Sequence, residues 1–222
     1  MGVTTATLLK ESGHDIALIE SDRIVKDVTV GTTAKISAAP NIIYNKLIFN
    51  LGLDKAQKYA DVRMKSLKKI SEIVKERSIS CDYHQLPLYI YSESFENVNV
   101  IKDEFKAAKK LGIPVSYTEE VPLPFRTGPA IKYDNQAQFH PRKYLLALSE
   151  DLDNEENHVF EQTRVITVKD GERKEVITDQ GSIFADKVVV ATHLPVYDPD
   201  SLNKHLSPAR SYVLGLFIAG DF

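Results

Sequence analysis

Gly2 and Glu20 are the two residues at the start of the chain whose types and separation can do chemistry together. They lie 18 positions apart. Between them the sequence reads as a helix, Val3 to Lys10, a stop at Glu11-Ser12-Gly13, and a short strand, Asp15 to Ile19, that delivers Glu20 at its end. In a βαβ nucleotide-binding unit the last glycine of G-x-G-x-x-G opens the helix close to the sheet. An acid about 20 residues further on takes the ribose hydroxyls of an adenosine. The pattern therefore points to an adenine dinucleotide. The first strand and the first two glycines, which would hold a pyrophosphate at the helix N-terminus, are not in the sequence. A helix–strand pair that ends on an acid is also an ordinary packing motif, so this feature needs support from elsewhere.

Two later stretches could supply it. The run Val188-Val189-Val190-Ala191 is followed by Thr192-His193-Leu194-Pro195. It reads as a strand covered on both faces, leaving the sheet at its carboxyl edge, where α/β folds bind ligands. It reads equally as a core strand ending in a proline turn. The stretch Asn135 to Leu145 carries polar side chains on an extended piece and then enters a helix at His140-Pro141, proline favouring the first turn. Its plain alternative is a satisfied polar strand and a helix cap.

The elements that must position these residues follow from periodicity. Residues 40–76 read as two helices divided at Gly52, and Phe95 to Leu111 as an amphipathic helix stopped by Gly112 and Pro114. Leu86 to Tyr91 has strand character, and 115–138 reads as short β pieces broken by prolines and Gly128. Residues 163–169, 173–178 and 183–191 read as a three-stranded meander whose first turn is Asp170-Gly171. Tyr212 to Ala219 is a further strand candidate. The fold class expected is α/β, a three-layer dinucleotide-binding (Rossmann-like) domain with a β-meander, plus an incomplete α+β domain. Both ends of the chain are expected to be incomplete.

Composition narrows the classes. The 222 residues are 43% hydrophobic and 27% charged, with net charge −3, an ordinary globular balance that gives no electrostatic case for nucleic acid or an anionic membrane surface. No apolar stretch approaches 18 residues, and the N-terminus has no signal-peptide pattern. Cys81 is the single cysteine, so no internal disulfide forms and no Cys/His cluster has metal spacing; a reducing, cytoplasmic setting is expected. The lysines and arginines of 65–77 and 106–110 read as solvated helix faces.

Taken in order, Gly2…Glu20, Gly31-Thr32-Thr33-Ala34-Lys35, Gln138-Phe139-His140-Pro141 with Lys143-Tyr144-Leu145, and Ala191-Thr192-His193-Leu194-Pro195 resemble the FAD-dependent oxidoreductases of the D-amino-acid oxidase and glycine oxidase superfamily. The closest look is to the branch whose longer members carry a C-terminal Rieske domain; the cysteine and histidine pairs of that domain are absent here. The resemblance implies FAD as cofactor and an amine or amino acid as small-molecule substrate. It implies that Gly2 is the third glycine and that Glu20 binds the ribose. Gly31, Thr32, Thr33 and Ala34 would lie near the pyrophosphate and flavin edge. Val165 would meet the adenine through its backbone, and Ala191, Thr192 and His193 would pass close to the FAD. If the substrate carries a carboxylate, Arg126 and Arg210 are the candidates for an arginine fork. It further implies a cofactor domain over 1–80 and 139–200 and a substrate domain over 81–138 and 201–222. The alternative is a shortened, non-catalytic form that binds no cofactor and pairs with itself or another chain through exposed sheet edges. An NAD-dependent dehydrogenase would share the ribose acid but would not account for the Phe139–Leu145 motif.

Overall fold

A computed structural model describes residues 1–93, 97–209, 212, 214, 215 and 217. The chain forms two compact units, Met1–Ile24 with Asp151–Phe222, and Val25–Glu150. The architecture is mixed α/β, with one parallel strand pair and two antiparallel sheets among the described residues.

The first unit opens with α1 (Gly2–Glu11) and β1 (Ala17–Ile19). Helix α1 ends because Gly13, at φ 83°, takes the left-handed conformation that spares glycine a Cβ clash. The His14 N–H returns to the Leu9 carbonyl and the Gly13 N–H to Lys10, the paired bonds that close a helix C-terminus. Strand β1 lies parallel to β6 (His158–Phe160), Ala17 opposite His158 and Ile19 opposite Phe160. The buried Asn157 fixes this register by accepting the Ile16 N–H at 2.9 Å. Strands β7 (Val165–Lys169), β8 (Lys174–Thr178) and β9 (Ser182–Ala185) form the expected meander, in which Val168 of β7 and Val176 of β8 stand opposite each other and are buried.

The meander's third strand is shorter than its sequence suggests. It ends at Ala185, and Val188-Val189-Val190-Ala191 continues outside any strand, with Val189 59% exposed. The run is therefore not covered on both faces. A β-rich composition makes a strand only where a ladder partner exists, and among the described residues none pairs with it. The candidate strand Tyr212 to Ala219 lies in part outside the described residues.

The second unit contains α2 (Tyr44–Leu51), α3 (Leu53–Glu76), α4 (Val98–Lys110) and α5 (Pro141–Ser149) around β2 (Lys35–Ile36), β3 (His84–Tyr91), β4 (Val115–Thr118) and β5 (Ala130–Gln138). Strand β5 pairs antiparallel with β3, β4 and β2. The pieces expected over 115–138 thus resolve into one short strand and one long one. Residues 40–43 are not helical, and α4 begins three residues later than Phe95. Helix α4 ends as α1 does, at Gly112 (φ 72°), with Ile113 donating to Ala108 and burying its own side chain. The core joins Tyr44, Ala56, Ala60, Ile101, Ala108, Leu111, Ile131 and Tyr133; a second cluster joins Ile36, Ala38, Leu67 and Ala137. The His140 ring accepts the Lys143 N–H at 3.4 Å and caps α5, the plain reading of that motif.

Burial pushes the Tyr44 phenol from 10.0 up to about 12, helped by the neighbouring Tyr59 and Glu104 and opposed by Arg63. Burial does the same to Tyr144, up to about 12, with Cys81 adding to it and Arg77 opposing. The folded state favours both neutral phenols, so their contribution to stability is complete below pH 10 and is lost as pH rises through about 12. Alkaline titration is expected to show these tyrosinates forming together with loss of circular dichroism. Ionisation of every tyrosine near its ordinary value, with the fold intact, would contradict this.

Candidate functional site

In the first unit, α1 begins at Gly2 with no side-chain cap and no acid in its first turn. The Thr5 N–H closes onto Met1 O at 3.0 Å as the first bond of the helix ladder, and the amides of Gly2, Val3 and Thr4 precede that ladder, as the first N–H groups of an α-helix do. They form the positive end of the helix. A Cβ built on Gly2 would stand 3.7 Å from both Ala191 Cβ and Leu18 Cδ1, which is ordinary contact. Gly2 and Ala191, distant in sequence, thus meet beside β1. The packing would tolerate a methyl group, so the glycine is not required for close approach of helix and strand.

Glu20 follows β1 and is half-buried. Its backbone continues the pairing: its N–H donates to Phe160 O and its carbonyl accepts the Thr163 N–H, each at 2.9 Å. The second bond places Glu20 against the turn that leads to Val165, the first residue of β7 and opposite Thr178. The Glu20 carboxylate accepts the Asp22 N–H at 3.0 Å and the Ser21 hydroxyl at 3.2 Å, which orients it. Beyond Ala191, Thr192 and His193 are exposed; the Thr192 hydroxyl donates to Leu194 O at 2.7 Å, and His193 is left-handed at φ 63°. The structure therefore brings Gly2 to Ala191, and Glu20 to the approach to Val165.

Gly31, Thr32 and Thr33 lie in the second unit on an exposed loop, and Ala34 is half-buried with φ 60°. Arg126 is exposed in the irregular stretch between β4 and β5. Arg210 lies outside the described residues. Among the described residues no group of three or more His, Cys, Asp or Glu gathers to hold a metal ion, and no helix is long and apolar enough to cross a membrane.

A family model described as FAD dependent oxidoreductase matches residues 1–217. The chain belongs to this FAD-dependent oxidoreductase family. The Bacillus subtilis (strain 168) protein YhfW, described as a Rieske 2Fe-2S iron-sulfur protein, is 34% identical over 217 residues, 97% of this chain and 43% of that protein. This agrees with the branch its sequence resembles. Among solved structures, the L-proline dehydrogenase of P. horikoshii matches with TM-score 0.70 and 20% identity over 86% of this chain and 50% of its own. The glycine oxidase of Geobacillus kaustophilus matches with TM-score 0.67 and 16% identity over 86% and 52%. At such identities these structures establish the fold. The chain spans about half the length of the relatives it matches.

The donor set in the first unit fits the adenosine diphosphate end of FAD. It offers uncapped amides at a helix N-terminus for phosphate oxygens and an oriented carboxylate at the end of the neighbouring strand for hydroxyl donors.

Two residues order the second unit, and only Gln136 lies in a stretch that the sequence singles out. Glu104, fully buried, accepts the N–H groups of Ile43, Tyr44 and Asn45 and so caps α2 from α4. Its signal was its place in the apolar stripe Ile101, Glu104, Ala108, Leu111, where a carboxylate needs an internal partner. Gln136 is 2% exposed on β5 and accepts the Ala38 N–H; nothing in its neighbourhood of the sequence names that partner.

Proposed function

We propose that this chain binds FAD and serves an oxidoreductase that oxidises an amine or amino acid. The observation that carries the reading is the uncapped start of α1 together with Glu20 at the end of β1, in a chain of this family. Bound flavin would supply the hydride acceptor. The rest falls to the protein. The Gly2, Val3 and Thr4 amides and the helix dipole take phosphate oxygens, and the Glu20 carboxylate accepts from the ribose hydroxyls. The Val165 backbone meets the adenine, and Ala191, Thr192 and His193 line the cofactor. Gly31, Thr32, Thr33 and Ala34 serve the flavin end. Arg126 and Arg210 are the candidates to fix a substrate carboxylate, which holds the α-carbon in place for transfer. In this reading the cofactor domain comprises 1–80 and 139–200, and the substrate domain 81–138 and 201–222.

Titration of the purified chain with FAD, followed by quenching of flavin fluorescence, tests it. Saturable binding is expected. Glu20→Ala, which removes charge-assisted hydrogen bonds, should weaken that binding by roughly tenfold to a hundredfold. A wild-type chain that leaves the fluorescence unchanged would overturn the proposal.

A further inference from the structure

Strand β5 carries a bulge. Leu86 stands opposite Gln136 and Leu88 opposite Tyr133, so Pro87 alone faces both Asp134 and Asn135. Proline has no N–H to lend to a ladder, and Asn135 takes a left-handed φ of 56°. Bulges of this kind turn the following side chain out of simple alternation. Here Gln136 and Ala137, neighbours in sequence, are both buried.

The Gln136 carboxamide is committed at both ends. Its Oε1 accepts the Ala38 N–H at 2.7 Å, across 98 residues of sequence, and its Nε2 donates to the Asp134 carbonyl at 2.7 Å. Two other side chains grip the same piece of backbone: the Arg63 guanidinium donates to Ser37 O, and the Tyr44 hydroxyl donates to Ala38 O. Strand β2 joins it to β5, with Lys35 opposite Gln138 and Ile36 opposite Ala137. Residues 35–39 thus form a strap held through its backbone from α2, α3 and β5. The strap begins where the Gly31–Ala34 loop ends, at the left-handed Ala34.

A buried polar residue that served only its own strand would have its partners there. Gln136 spends its acceptor on a segment that follows the candidate flavin loop. We infer that Gln136 is a positioning residue: it fixes the strap Ser37–Ala39 and through it the set of the Gly31–Ala34 loop toward flavin. This rests on the FAD reading above.

Two variants, Gln136→Leu and Gln136→Glu, test it with two readouts, amide hydrogen exchange without flavin and the FAD dissociation constant. The leucine variant should speed exchange at Ala38 by about tenfold or more, leave Ile131 in the same strand unchanged, and weaken FAD by about tenfold. The glutamate variant guards against a leucine variant that fails to fold. Burial raises a carboxyl pKa, and the neutral acid offers a C=O to Ala38 and an O–H to Asp134. Its FAD affinity should therefore match the wild type at low pH and fall as pH rises through that raised value, while the wild-type chain shows no such step. Unchanged exchange at Ala38 in the leucine variant overturns the inference. A loosened strap with unchanged FAD affinity overturns it too and leaves the FAD reading standing. A wild-type chain that takes up no FAD removes the reading, and the inference with it.

Discussion

Replacing Glu104 with alanine is expected to lower the stability of the second unit by roughly 3–5 kcal/mol, because hydrogen bonds to a buried charge are strong and their orphaned partners stay buried. The carboxylate is 0% exposed and receives the Ile43 and Tyr44 N–H groups on Oε1 and the Asn45 N–H on Oε2, at 2.8, 2.8 and 2.9 Å. Helix α2 has no cap of its own: Ile43, the residue before it, supplies no side-chain acceptor. The acid on α4 does this work at the positive end of the α2 dipole. Glu104→Gln keeps an oxygen for Ile43 and Tyr44 but turns an N–H toward the Asn45 N–H, so a loss of about 1–2 kcal/mol is expected. Urea unfolding of the three proteins, with unchanged slopes and displaced midpoints, is the measurement. An alanine variant within about 1 kcal/mol of wild type would show that the cap is not what holds α2.

Tyr133 is expected to give opposite results with two substitutions. Its ring is fully buried in the core beside Ile131 and Ile101, while its hydroxyl has no hydrogen-bond partner among the described residues. Burial, with the Glu104 carboxylate and Tyr44 nearby, drives the phenol far above its ordinary value. Tyr133→Ala leaves a ring-sized cavity and should cost roughly 3–5 kcal/mol. Tyr133→Phe removes only the unsatisfied hydroxyl and should be neutral or gain up to about 1 kcal/mol. Thermal melts distinguish the two; a phenylalanine variant that loses stability would reveal a partner for the hydroxyl.

Local signals were legible in the sequence where they are made by local physics. Gly13 and Gly112 stop helices because only a left-handed residue closes those ends, Gly52 divides α2 from α3, and the hairpin at Asp170-Gly171 forms where it should. Glu20 arrives at the end of β1 as the spacing requires. What was not legible depends on partners far away in the chain. Strand β6 is only His158–Phe160 and exists because β1 lies beside it. The Val188–Ala191 run has strand composition but no ladder. Glu104 interrupts an apolar helical stripe and Gln136 lies in a polar stretch of strand that reads as exposed; the meaning of each is a backbone 60 and 98 residues away.

Strands β1 and β6 pair across 141 residues of chain, as Ala17 and His158 show, whereas the whole second unit is the uninterrupted stretch Val25–Glu150. Closing so long a loop, if it were flexible, costs roughly 4 kcal/mol of chain entropy beyond the constant term. A chain made from its N-terminus therefore carries β1 unpaired until the residues after Asp151 have been added, by which time the continuous unit has had the opportunity to fold. The discontinuous unit thus waits for its second strand on the synthesis of the whole continuous one.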